Sequence, residues 1–286
     1  YETSSGFKTS GIFMGVGDTG TIITSSDGTT WTSKTSGSSV TLRGVIYANG
    51  GFVVVGHSGT ILTSTDGTTW TSRTSGTTKN FYAVTYGNST YVSTGAAGNI
   101  RTSSDGITWD NRTYVTSNDF YGVTYGNNTF VATGQSGTIL TSSDGASWDN
   151  RTSGTTNSLC GKPTYGNSIF VTVGGSGTIL TSSNGISWDN RTSGISSSLC
   201  NVTYGNGTYV ATGDSGKILT SPDGITWTSR TSGTSDHLVG LDYGNSTFAI
   251  AGFDGTILTS SDGTTWTSRT SPAGNDKSLF RFAFTE

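Results

Sequence analysis

The sequence is short of most residues that do chemistry. Its 286 positions hold two Cys, two His, one Met, three Pro and two Glu. Cys160 and Cys200 alone make neither a disulfide framework nor a zinc spacing. His57 and His237 form no metal cluster, and no metal or cofactor is expected. The two Glu are Glu2 and Glu286, one at each end. A glycosidase needs two carboxylates at a set separation, and no spacing among the Asp marks such a pair. Charged residues reach only 12%, too few for a charged disordered tail. No apolar run approaches the ~18 residues of a membrane-spanning helix, so membrane insertion is not expected. A net charge of −3 and a pI near 5.3 argue against nucleic acid, whose partners usually carry a basic face. Position 1 is Tyr and the single Met is Met14, which leads us to expect a processed chain or a segment of a longer one.

What is abundant is Thr, Ser and Gly, at 55, 44 and 43 positions. The Gly lack the three-residue period of collagen. Hydrophobic residues make up only 31%, but aromatics reach 11%, and each ring can bury a large area. All seven Trp lie on one comb: Trp31, Trp70, Trp109, Trp148, Trp188, Trp227 and Trp266, spaced 39, 39, 39, 40, 39 and 39. Each closes a block such as Ser64-Thr65-Asp66-Gly67-Thr68-Thr69-Trp70. The acid of the block is Asp27, Asp66, Asp105, Asp144, Asp223 and Asp262, with Asn184 once. Three residues past each Trp stands a base, Lys34 or one of six Arg, so seven of the fifteen basic residues belong to the repeat. Self-similarity at such a period marks a repeat architecture.

One unit reads as four strands. Phe81 to Tyr86 is rich in aromatic and β-branched residues. Gly87-Asn88 is a hairpin turn, Tyr91 to Thr94 a second strand, and Gly95 to Gly98 a second turn. Ile100 to Ser103, the turn at Asp105-Gly106, and Thr108 to Thr113 complete the unit. No stretch keeps a helical period over ten residues. Seven four-stranded antiparallel units predict an all-β, seven-bladed propeller, which we expect to be one domain over 1–286. The first unit begins at its second strand, because Gly11 to Gly15 aligns with Gly51 to Val55. The spare strand Leu279 to Phe284 resembles Leu42 to Tyr47. We expect it to close the ring in the first blade and so remove an open edge.

The block Ser-x-Asp-Gly-x-Thr-Trp resembles the Asp box of bacterial neuraminidase (BNR) repeats. The fuller phrase from Gly56 to Gly67 is similar to repeats of photosystem II assembly-factor-like propellers. The resemblance implies that the Asp box lies at the turn between third and fourth strands, away from the ligand face. Sialidases of this architecture carry an arginine triad, an Arg-Ile-Pro motif and a Tyr/Glu nucleophile pair. No Arg-Ile-Pro occurs here, and no enzyme is expected.

The repeated residues read as scaffold. An Asp at a tight turn can accept orphan backbone N–H groups, Gly permits the turn, and the Trp buries between blades. Calcium is the rival reading, but each block offers one carboxylate where calcium takes six to eight oxygens. The comb of Tyr47, Tyr86, Tyr125, Tyr165, Tyr204 and Tyr243 is scaffold too. Cys160 and Cys200 occupy equivalent places in adjacent units, as two small buried thiols or as a disulfide between neighbouring first strands.

Function should reside where the repeat breaks. The inserts of the second turns differ between units: Asp18-Thr19, His57-Ser58, Ala96-Ala97, Gln135-Ser136, Gly175-Ser176, Asp214-Ser215 and Phe253-Asp254. These turns share a face with the links between blades, where Tyr114 and Asp236 stand out. Phe253, Asp254, Asp214, Asp18, His57, Tyr114 and Asp236 are therefore the candidate ligand-binding residues. Arg43 and Arg281 fall on first strands, near the channel. The expected function is non-catalytic recognition of a glycan or a protein partner through this variable face, in an extracellular or cell-surface setting. The rival is a structural subunit of a surface layer or filament, acting by self-association, and a third reading is an assembly-factor-like scaffold. Eight Asn-x-Ser/Thr sequons, at Asn88, Asn111, Asn127, Asn150, Asn190, Asn201, Asn206 and Asn245, could make it a glycoprotein.

Overall fold

The computed structural model describes residues 11–285, so Glu2 and Glu286 lie outside the described residues. Seven four-stranded antiparallel sheets form the blades of a ring. Blade two is typical, with strands Leu42–Ala48, Gly51–Gly56, Ile61–Ser64 and Thr71–Arg73 running outward from the channel. Blade one is assembled from both ends of the chain. Leu279–Phe284 is its innermost strand and pairs with Phe13–Gly17, Phe13 facing Phe284 and Gly15 facing Phe282.

The core is a set of seams between blades. In one, Val210 and Ile218 of blade six pack with Leu238, Leu241, Phe248 and Leu258 of blade seven. Aromatic rings line each blade in a fixed order: Tyr125 lies 4.6 Å from Phe130, which lies 6.4 Å from Trp148. The Tyr ring also covers the backbone of the preceding blade. A Cβ on Gly126 would stand 2.3 Å from the Tyr165 ring, so only Gly fits there. Each fully buried ring such as Phe130 is worth roughly 1.5–3 kcal/mol of transfer free energy. Trp31 and Trp109 are buried, and the remaining five are half-buried at the same seams.

The Ser-x-Asp-Gly turns are hydrogen-bonded knots. Asp66 Oδ1 accepts the N–H groups of Thr68 and Thr69 at 2.7 and 2.8 Å, while Ser64 Oγ accepts Gly67 N–H at 2.8 Å and donates to Asp66. The other blades repeat this, and Asn184 does it with its amide oxygen. These bonds hold the Asp carboxyls below the usual carboxylate range; Asp105 falls to about 2, chiefly through the Thr108 and Ile107 N–H groups. They also shorten the fourth strand. Thr108 donates to Asp105, and Trp109 Nε1 to the Gly106 carbonyl at 3.1 Å. The strand is therefore Asp110–Asn111, not the expected Thr108 to Thr113. The Arg after each of the last six Trp bonds inward, as Arg151 Nε does to Thr141 Oγ1 at 2.7 Å.

Candidate recognition site at the channel mouth

The second turns and the interblade links meet on one face, as the repeat predicts. A backbone bond of one kind joins them in every blade: His57 N–H to Thr41 O, Gln135 to Asp119, Phe253 to His237 and Asp18 to Ser278, at 2.9 to 3.0 Å. In five blades the side chain of the residue leading into the inner strand also reaches back to the previous blade. Asp119 Oδ1 accepts Ala97 N–H at 2.9 Å, and Asn80 Oδ1 accepts Ser58 N–H at 3.0 Å.

This latch occupies several of the candidate residues. Asp18 accepts Thr41 Oγ1–H at 3.2 Å and Ser278 N–H at 3.3 Å. Asp214 Oδ1 lies 2.9 Å from His237 Nδ1 and accepts the Cys200 thiol at 3.5 Å. Asp236 accepts the Thr256 hydroxyl. Tyr114 lies apart, its ring packed on the core at Phe120, 6.5 Å between centroids. Phe253, 36% exposed, stacks on His237 at 5.1 Å and sets its edge against Phe280 at 6.0 Å. Asp254 beside it is exposed and held at φ +53°, in the left-handed region. His57 Nε2 accepts Arg43 Nε–H at 3.3 Å and faces the Tyr82 ring edge-on. Burial, and then the Arg43 charge, lower its basicity.

Those contacts lead inward to a ring the sequence reading left largely unnoticed. Each inner strand opens with a buried Leu or Phe, or in blade five is preceded by one at Leu159, and the next residue lines the channel mouth. In blade order from two, these are Arg43, Tyr82, Tyr121, Cys160, Cys200 and Val239, with Phe280 in blade one. With Asp119 and Arg281 they enclose a cavity of about 330 Å³. These seven places are equivalent, yet they hold a base, three aromatic rings, two thiols and a Val. Arg43 lies over the Phe280 ring at 4.1 Å, a cation–π contact, and the Tyr82 and Tyr121 rings are 5.7 Å apart. Cys160 and Cys200 are free thiols, half-buried in this wall, with no disulfide between them. Burial pushes both thiols up, away from a reactive thiolate.

Below the mouth lie three charged groups. Blade five carries one residue more than its siblings, which accounts for the single Trp spacing of 40. Gly161 N–H bonds to Val173 O and Thr164 faces Val171. Lys162 and Pro163 therefore stand together opposite Thr172, a β-bulge that delays the regular strand to Thr164–Gly166. Lys162, Asp242 of blade seven and Arg281 of blade one act on one another's charges. Burial lowers the Lys162 ammonium and raises the Asp242 carboxyl, with each partly offsetting the shift of the other. Arg281 is pushed down to about 10 by the same desolvation.

No family model matches the chain, and no curated protein does. Solved structures do. The chain is similar to YCF48 bound to a D1 peptide, with TM-score 0.64, 19% identity and 80% of each chain covered. It is also similar to YCF48 from Cyanidioschyzon merolae, with TM-score 0.63, 16% identity and 82% of this chain and 86% of that one covered. The WD40 propeller domain of Doa1 aligns at TM-score 0.65 and 16% identity, over 81% and 83% of the two chains. At these identities the likeness is one of fold: this chain is a seven-bladed β-propeller.

Proposed function

We propose that the protein is a non-catalytic recognition module that holds a segment of a protein partner at the channel mouth. One observation carries the reading. In a chain whose units are otherwise near copies, the seven equivalent mouth positions hold chemically different side chains around one cavity. Scaffold demands would favour repetition there, as they do at the Asp-box turns. One propeller neighbour, YCF48 bound to a D1 peptide, supports the choice of partner. The Asp-box turns support placing the chain among BNR-type propellers. The Lys-poor, Ser/Thr-rich composition favours an extracellular or cell-surface setting.

A glycan is the alternative ligand, with Phe253 as the aromatic platform. A second reading, packing of copies into a layer or filament, draws on the opposite face. There the tips of three Asp-box turns expose Ile107, Ile186 and Ile225. Panning a random peptide library and a glycan array in parallel tests the proposal. The expected result is peptides whose binding falls at least tenfold in the double variant Tyr82→Ala, Tyr121→Ala, with melting unchanged. Enrichment of glycans alone, or binding indifferent to both Tyr, would overturn it. A polymer at dilute concentration with no ligand in either screen would favour the structural reading.

A further inference from the structure

Two guanidiniums, those of Arg43 and Arg281, line the mouth cavity. Arg281 is only 8% exposed, and its Nη1 has no hydrogen-bond acceptor among the described residues. The guanidinium lines the mouth cavity, where Arg43 approaches from blade two, and the Arg43 charge further weakens its hold on a proton. Lys162 of blade five lies outside this lining, where burial lowers its ammonium and the Asp242 charge offsets that shift. Four acids surround this cluster: Asp18 acts on Arg43 but is bonded to Thr41 and Ser278, Asp214 is bonded to His237 and the Cys200 thiol, and Asp242 and Asp119 stand nearer the channel. Asp242 accepts Tyr243 N–H at 3.0 Å and is driven by burial toward its neutral form. Asp119 is turned to the rim, with Oδ1 on Ala97 N–H and Oδ2 3.4 Å from the Tyr82 hydroxyl. An enclosed guanidinium without an acceptor is an expensive arrangement, and its planar fork matches a carboxylate.

We propose that Arg281, together with Arg43, binds a carboxylate inserted into the channel mouth. A cavity of about 330 Å³ is at the small end of ligand pockets. It takes one acidic group with the residue that bears it, the Tyr82, Tyr121 and Phe280 rings forming the apolar wall. The inference deepens the recognition reading and rests on it for the source of the group, which is an acidic side chain or the free terminus of the bound segment. A free small acid offers the same chemistry, and the test separates the two.

The probes are acetate alone, and a short peptide with a free C-terminal carboxylate beside its C-terminal amide, at constant ionic strength against chloride. Binding is read from the arginine Nε–H resonances of the full chain and from its melting temperature. Acetate should shift the Arg281 resonance saturably. Arg43→Gln should weaken that binding at least tenfold, and Arg281→Met should abolish it. If Arg281→Met does not fold, Arg43→Gln carries the test alone. The acidic peptide should compete with acetate, and its amide should bind at least tenfold more weakly. A response no different from that to chloride, or saturation unchanged in Arg43→Gln, overturns the proposal. Peptide binding that is insensitive to amidation and to Arg43→Gln, but lost with the two Tyr, overturns the carboxylate site and keeps the recognition reading. Saturable acetate binding that is lost in Arg43→Gln, with no peptide bound, keeps the site as one for a free acid and overturns the recognition reading.

Discussion

The Asp-box turns and the channel treat charge in opposite ways. At the Asp-box face the carboxyls are exposed, repeated in six of the seven blades, and held ionised by backbone N–H groups. In the channel, Asp242, Lys162 and Arg281 come from three blades, differ in kind, and are pushed toward neutrality by burial. The first arrangement needs only a local turn, so one short sequence can build it seven times. The second needs three distant parts of the chain brought into register by a closed ring. Repetition therefore marks what holds the disc together, and departure from it marks where we propose that the disc discriminates.

Removing the strand that serves both regions should have the largest effect. Deleting residues 278–286 takes away the partner of Phe13–Gly17 and the mouth residues Phe280 and Arg281 together. Each lost Phe is worth roughly 3–5 kcal/mol by comparison with ring truncation in cores. The shortened chain should aggregate or melt without a cooperative transition in calorimetry. A monomer melting at the parent temperature would refute the closure.

Ser142→Ala should separate the two regions. It leaves the buried N–H of Gly145, now bonded to Ser142 Oγ at 2.8 Å, without a partner, a loss of about 1–3 kcal/mol. Ligand binding per folded molecule should not change. Asp66→Ala should lower the melting temperature in the same direction, also without touching binding. A binding defect in either variant would join the two regions that we separate.

Acid titration sharpens the contrast by sign. The Asp-box carboxyls have native pKa values below the ordinary one, so their stabilisation is complete above about pH 4 and fades as the pH falls through the native values, near 2 for Asp105. Asp242 is raised, so its contribution is present below the ordinary value and is lost as the pH rises through the native one. Melting temperatures should hold or rise on acidification toward pH 4 and fall steeply below it. Asn184→Asp adds a seventh titrating box and should steepen the acid limb. An acid limb insensitive to that change would remove the boxes as its cause.

The smallest effect is expected at the outer rim. Phe253→Ala with Asp254→Ala should leave stability within about 0.5 kcal/mol of the parent, as for surface changes, and reduce binding less than the paired Tyr82 and Tyr121 substitutions do. Equal or greater loss at Phe253 would move the site outward and favour a glycan platform.

The scaffold was largely legible because each part of it is local. The Trp comb, the turn Asp and the unpaired first and last strands can be read without knowing which blade touches which. Reading the site required contacts across blades. Asp18, Asp214 and Asp236 look like free acids in the sequence, yet each meets a donor more than nineteen residues away. Tyr82 and Tyr121 look like core residues of alternating strands, although the bulge after the first strand residue turns them to the channel. Lys162 had one visible signal, the odd spacing of 40, which reads as noise until Pro163 beside it marks a bulge. The sequon at Asn201 makes the converse point. Its side chain is fully buried, whereas the other seven sequon Asn are exposed.

The closing strand also sets a clock. Blades two to seven each take their four strands from one continuous stretch, so each can complete itself soon after it leaves the ribosome. Blade one cannot, because its second to fourth strands end at Thr35 and its first begins at Leu279. At roughly 5–20 residues per second, the edge at Phe13–Gly17 waits on the order of 12–50 seconds for its partner. For that interval an apolar strand edge lies open to any matching strand, including the inner strand of the blade that follows it or the last strand of a neighbouring chain. Correct closure is thus a race won by sequence register, in which the Phe282 and Phe284 rings, stacked on Trp31 and tilted against Phe13, distinguish the right partner from six near copies.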